Sequence, residues 1–273
     1  MTAPHRRLDL LRILYTLLFP IVAYLPLHPI PAGAVDPPAA LFVAAASNLR
    51  FPMDEAIALY EKVRAVKVTV TYGASGSLSA QILAGAPYDL FFSADESIPK
   101  KLIEADAGLA ESYFIYGRAQ IVLWVLNDSP IDLDQKGMDA LLHPAINKIA
   151  VANPRHAPYG MAAIETLRKI GFLNRLQKRL VYGENVSQAA EYVRKGGAEM
   201  GIISYSLALS KPLQNVGRYW HIPSDLYPML NQAGLILKRS PKVAEAESFV
   251  LFLTKGAGRE ILQKYGLLNG RDS

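Results

Sequence analysis

The 273-residue chain contains no cysteine. That excludes disulfides, thiolate metal sites and cysteine nucleophiles, and with them a lipid-modified N-terminal cysteine. Histidine is also scarce. His5, His28, His143, His156 and His221 show no metal-ligand spacing, and His156 reads as a surface-loop residue. There is no Gly-x-x-x-x-Gly-Lys phosphate loop and no Gly-x-Gly-x-x-Gly fingerprint after a strand, so nothing points to a nucleotide cofactor. Internal repeats, low-complexity tracts and Pro/Gly/Ser-rich linkers are absent too. Charge is sparse: 29 Lys+Arg stand against 24 Asp+Glu, with no dense basic cluster. Neither nucleic-acid binding nor polybasic membrane attachment is expected from that balance.

What is present begins with a leader. Arg6, Arg7 and Arg12 form a basic start, Ile13 to Leu27 carries no charge, and Ala32-Gly33-Ala34 fits a small-residue cleavage pattern. Residues 1–34 are expected to be a secretory signal peptide cut before Val35. As a membrane anchor the apolar run falls short of the roughly 20 residues a spanning helix needs, and Pro20 and Pro26 interrupt it. Without the leader the chain keeps 26 basic and 23 acidic side chains, near +3. An exported chain with no lipid tether is expected in the periplasm.

Val66, Val68, Val70 and Tyr72 alternate with polar residues, the period of a half-buried strand. Leu41 to Ala45, Asp89 to Ser93, Ile121 to Leu126, Lys148 to Ala152, Gly201 to Ser204 and Gly234 to Leu237 are compact apolar runs that suit strands buried on both faces of a mainly parallel sheet. Helical spacing joins Met53, Ile57, Tyr60 and Val63, then Met161, Ile164, Leu167 and Ile170, then Val243, Ala246, Phe249, Val250 and Leu253. Alternating strands and helices predict an α/β architecture. About 239 mature residues suffice for two lobes, with crossings near Gly117-Arg118 and Pro223-Ser224.

Several strand-to-helix junctions share one design. Ser47-Asn48 follows the small run Ala44-Ala45-Ala46; Gly73-Ala74-Ser75-Gly76-Ser77 follows the alternating strand; Pro158-Tyr159-Gly160 and Asn185-Val186-Ser187 open two more helices. First-turn N–H groups lack intrahelical partners and carry a partial positive charge. Several such ends, dressed with hydroxyls and aimed at one point, could hold an oxyanion without Lys or Arg. Taken singly, each has a plainer explanation. Ser47 or Asn48 could simply cap a helix, Ser77 could cap the helix from Leu78, Tyr159 could pack, and Val186 offers only its amide. Gly73 to Ser77 is a near miss for Gly-x-Ser-x-Gly, since Ser77 occupies the fifth place, so a serine hydrolase using Ser75 or Ser77 is the rival class. Asp95 could cap the next helix or brace a crevice; Arg50 and Arg155 read as solvated or steering charges.

At these segments the chain resembles the ModA-type molybdate-binding components of ABC importers, in the two-lobed periplasmic binding protein superfamily. The carriers are Phe42 to Asn48, Gly73 to Leu78 with Gln81 to Pro87, and Asp89 to Asp95. Ala152-Asn153-Pro154, Ala157 to Gly160, Glu184-Asn185-Val186 and the closing Gly256 to Gly266 segment match as well. The resemblance implies the type II fold, each lobe a mainly parallel sheet flanked by helices, with the ligand between lobes. It divides the chain into lobe 1 (35–117 and 224–273) and lobe 2 (118–223). It implies Ser47, Asn48 and Ser75 as ligands from the first lobe and Tyr159 and Val186 from the second. Some members use a Tyr hydroxyl where Ser204 stands here, which adds Ser204 and the neighbouring Tyr205 as candidates. The bond to the ion is a hydrogen bond to its oxygens and not metal coordination. No cofactor, no nucleic acid and no catalysis are implied; the expected partners are molybdate or tungstate and a membrane permease, for a monomer.

The ion's chemistry agrees with the residues. Molybdate and tungstate are fully ionised dianions at neutral pH, so a donor-only site suits them. Phosphate retains a proton and wants an acceptor such as Asp; none stands among these five. Sulfate is a smaller dianion and remains the alternative ligand; only cavity size can separate it.

Overall fold

The computed structural model describes residues 39–267, so the leader lies outside the described residues. Among the described residues, ten strands form two five-stranded sheets. In the first the order is β2 (Val66–Gly73), β1 (Ala39–Ala46), β3 (Leu90–Ser93), β10 (Leu230–Ile236) and β4 (Phe114–Ala119). The second runs β7 (Leu180–Gly183), β6 (Ile149–Ala152), β8 (Met200–Ser204), β5 (Ile121–Leu126) and β9 (Gly217–His221). Both sheets are mixed. β1 pairs in parallel with β2 and β3, and β6 with β7 and β8, while β10 and β5 are antiparallel to both their neighbours. The antiparallel members are the strands next to the passages between sheets. The chain leaves the first sheet after Ala119, passes Gln120 and enters the second at Ile121; it returns between His221 and Leu230.

Burial follows from the apolar runs. Leu41, Val43 and Ala45 of β1 face Met53 and Tyr60 of the helix Arg50–Val63 and Phe249 and Leu253 of the helix Val243–Lys255. Ala44, on the other face, joins Leu78, Ile82, Phe91 and Leu102 under the helices Ser75–Leu83 and Ser97–Glu104. In the second sheet all four residues of β6 are buried between the helices Pro158–Lys169 and Val186–Arg194 and their neighbours. The helix Pro158–Lys169 buries Ala162, Ala163, Thr166 and Leu167 and leaves Met161 out in solvent, so its inward stripe is rotated from the one expected through Met161. Among the described residues, no helix is long and apolar enough to cross a membrane.

The parallel pairings set the site. The last residues of β1 and β2 are in register, Ala46 beside Gly73, and so are those of β6 and β7, Ala152 beside Gly183. Side-by-side parallel strands end at one edge of their sheet, and ligands of open α/β sheets bind at such carboxyl edges. The junctions after β1, β2, β6 and β7 are the four segments singled out in the sequence.

Candidate functional site

Ser47, Asn48, Ser75, Tyr159 and Val186 line one cavity, together with Ala46, Gly73, Ala74, Ala94, Ala157, Pro158 and Asn185. The space in it open to a water-sized sphere is about 10 Å³, on the order of what one water needs. None of the lining residues is charged. Ser47, Asn48, Ser75, Tyr159 and Val186 are all at most 3 % exposed.

Each donor is delivered by a helix start. Ser47 and Asn48 form a 3-10 turn, Ser47–Leu49, with no side-chain capping bond, ahead of the helix from Arg50. Ser75 is the first residue of its helix, whose N-cap is Ala74; Ser77 therefore sits inside the first turn and does not cap. The helix Pro158–Lys169 begins at Pro158, with proline in the first-turn position that tolerates it. Tyr159 and Val186 thus occupy first-turn positions, where the N–H has no intrahelical acceptor. Asn185 caps the last helix, its Oδ1 accepting from Gln188 N–H at 3.1 Å.

The hydroxyls share a polarity. Ser75 Oγ accepts from Ala94 N–H at 3.0 Å, Ser47 Oγ accepts a long bond from Ser187 N–H at 3.4 Å, and Tyr159 Oη accepts from Gln232 Nε2 at 2.7 Å. A hydroxyl that receives a hydrogen from the protein keeps its own proton for another acceptor. Burial pushes the Tyr159 phenol well above the ordinary tyrosine range, with Gln232 opposing that shift, so the phenol stays protonated at neutral pH.

Bonds between the two sheets' appendages close the cavity. Gly76 N–H donates to His156 O at 2.9 Å, Ser187 Oγ to Ser47 O at 2.9 Å and Ser206 Oγ to Asn48 O at 3.1 Å. The Gly76 amide is therefore engaged across the crevice and does not converge on the cavity as an anion nest would require. Glycine matters here for contact: a Cβ at Gly76 would lie 2.8 Å from His156 O. The same holds at Gly160, where a Cβ would stand 2.2 Å from Ala152 O and push the Tyr159 helix off its sheet.

Ser204 and Tyr205 fall outside the cavity lining. Ser204 ends β8 and caps the short helix Tyr205–Ala208 by accepting from Leu207 N–H at 3.3 Å; its Oγ also lies 3.2 Å from Ser206 Oγ. Tyr205 turns to a ring cluster with Tyr219 and His221. Burial lowers the His221 pKa. Asp95 accepts from Ser97 N–H at 2.7 Å at the start of the next helix, and lines an outer crevice with Arg155 and His156. The imidazole of His156 contacts Glu184, through the carbonyl at 3.1 Å and the carboxylate at 3.3 Å. Among the described residues, no group of three or more His, Asp or Glu is placed to hold a metal.

Gln232 is the residue the sequence reading missed. It is fully buried on β10, where the register shifts between Gln232 and Ala233. The available signal was an uncharged polar residue inside the run Leu230–Ile236, but only its apolar end from Gly234 stood out.

Comparison with known proteins bears on this geometry. A model of the family described as bacterial extracellular solute-binding protein matches residues 41–268. The chain is 37% identical to a molybdate-binding protein ModA of Rhodobacter capsulatus over 237 residues, covering 87% of this chain and 90% of that protein. It is 33% identical to the ModA of Azotobacter vinelandii, covering 82% and 88%. The solved Azotobacter vinelandii periplasmic molybdate-binding protein superposes with a TM-score of 0.79 at 30% identity, over 85% of this chain and all of that one. The chain belongs to the bacterial extracellular solute-binding proteins, and within them to the ModA-type family of these relatives. The relatives are binding proteins of transport systems and not enzymes, and the rival hydrolase reading is dropped. Ser75 itself is hydrogen-bonded to a backbone amide and not to a histidine.

Proposed function

We propose that the chain is the periplasmic substrate-binding component of a molybdate ABC importer, and that it takes the dianion into the cavity bounded by Ser47, Asn48, Ser75, Tyr159 and Val186. The observation that carries this reading is the polarity of the wall. Three hydroxyls accept from the protein and keep their protons, first-turn amides add donors, and no charged side chain lines the space. Such a wall favours an anion that needs donors alone. Burying a dianion without partners would be prohibitive. Each hydrogen bond to charge contributes roughly 1.5–3 kcal/mol net, and several together reach the affinity of a scavenging receptor.

Tungstate, with the same charge and tetrahedral shape, is bound as well. The ion is captured between lobe 1 (35–117 and 224–273) and lobe 2 (118–223), hinge closure buries it, and a membrane permease receives it. No bond is made or broken. Residues 1–34 direct export, and the mature chain acts as a monomer without a cofactor. Thermal melting with molybdate, tungstate, sulfate and phosphate tests the assignment by mass action: free ligand at 100 Kd stabilises by about 2.7 kcal/mol. Molybdate and tungstate are expected to raise the melting temperature; a rise with sulfate alone would transfer the site to that ion.

A further inference from the structure

Gln232 belongs to the first sheet, whereas Tyr159 stands on a helix packed against the second. Their 2.7 Å bond therefore spans the two halves and exists only when they are together. The orientation of the Gln232 amide is set from its other end: its Oε1 accepts from Asn48 Nδ2 at 3.2 Å. With the oxygen engaged by Asn48, the nitrogen faces the phenol. Asn48 holds its place by its carbonyl, which accepts from Ser206 Oγ, and its own Oδ1 is buried without a partner. A native chain rarely leaves a buried carbonyl oxygen unpaired. Reversing both amides would satisfy Oδ1, but Gln232 would then take the phenolic proton and leave the phenol's lone pairs facing an anion.

We propose that Gln232 is a positioning and specificity-determining residue: reaching across the closed halves, it donates to Tyr159 and turns the phenolic proton into the cavity. The inference rests on the oxyanion reading above and deepens it. Closure and donor polarity become one event, because the phenol is locked as a donor only when both halves meet. A phenol that donates to the anion and already accepts from Gln232 is a poorer acceptor for the proton of hydrogen phosphate, so Gln232 disfavours that ion on chemistry and not on size. The unpaired Oδ1 is what this arrangement tolerates to keep the phenol's polarity.

The test is Gln232→Met, close in size and unable to hydrogen-bond through its end, read by calorimetry and stopped-flow dissociation of molybdate. Loss of one donor-aligning bond predicts about 10-fold weaker molybdate binding, carried by faster dissociation, with the melting temperature of the ligand-free chain close to wild type. In a Tyr159→Phe background the same substitution is expected to change nothing further. Phosphate competes better against molybdate in Gln232→Met than in wild type, because the freed phenol can rotate and accept. Losses that multiply in the double variant, or an unchanged molybdate-to-phosphate ratio, would reduce Gln232 to a packing residue. Tighter molybdate binding by Gln232→Met would show the reversed amides. Should Gln232→Met fail to fold, Gln232→Glu answers the same question: its carboxylate must take the phenolic proton, so wild-type affinity there would overturn the proposal. Failure of the wild-type chain to bind molybdate at all would instead sink the functional reading beneath it.

Discussion

The two walls of the cavity solve the same problem with different chemistry. From the first sheet come chiefly side chains: the hydroxyls of Ser47 and Ser75, at the starts of the 3-10 turn after β1 and of the helix after β2. From the second come helix starts: the first-turn amides of Tyr159 and Val186, with the phenol as the one side-chain donor. A side-chain donor is lost by a single truncation. A backbone donor is lost only if the amide itself is removed or the whole helix shifts. The first wall is therefore tuned by residue identity and the second by helix placement, which is why glycines with no room for a Cβ, Gly76 and Gly160, guard the positions where the Tyr159 segment meets its surroundings.

Placement should matter most. Gly76→Ala puts a Cβ 2.8 Å from His156 O, so the halves must part by tenths of an ångström and every second-wall donor moves with them. Molybdate affinity is expected to fall about 100-fold, the equivalent of one to two hydrogen bonds to charge, while alanine's better helix propensity leaves the ligand-free melting temperature unchanged or higher. Calorimetry beside a melt reads both. An affinity within twofold of wild type would mean that the closed contact does not govern binding.

Next comes the first wall. Ser75→Ala removes one charge-assisted bond and is expected to weaken molybdate binding roughly 10- to 100-fold, about 1.5–3 kcal/mol. It also strands the Ala94 N–H that Ser75 Oγ now satisfies, so the ligand-free chain melts lower as well. The second wall offers a matching deletion in the backbone. Val186 is the first residue of its helix and follows Asn185 at φ −147°, ψ 177°, a conformation compatible with a following proline. Val186→Pro therefore deletes the amide hydrogen without breaking the helix, and about 10-fold weaker binding with retained helicity is expected. Equal retention of affinity in both variants would erase the contrast between the walls.

The smallest effect belongs to charge outside the cavity. Arg155 lies in the outer crevice, where it can attract a dianion without touching it. Arg155→Gln is expected to slow association a few-fold at low salt, with the difference vanishing as ionic strength rises and dissociation unchanged.

Strand ends and their hydroxyls were legible in the sequence because each junction carries a local signature: small residues, then Ser, Asn or a Pro-Tyr-Gly start. Seven strands were legible for the same reason, as apolar runs or alternation. β4, β7 and β9 were not: Arg118 and Arg218 interrupt β4 and β9, and β7 is short and partly exposed, so it leaves no clear pattern. Gln232 escaped because its meaning is wholly tertiary: only the shifted register of β10 and the closure of two sheets bring it between Asn48 and Tyr159. The engagement of the Gly76 amide escaped for a related reason: its acceptor, His156 O, arrives from a different half of the chain.

Molybdenum itself can be located in the crystal. Anomalous diffraction from crystals grown with molybdate should give one strong peak in the space bounded by Ser47, Ser75, Tyr159 and Val186, within hydrogen-bond reach of their donors through its oxygens. A peak elsewhere on the chain, or none at saturating molybdate, would contradict that placement.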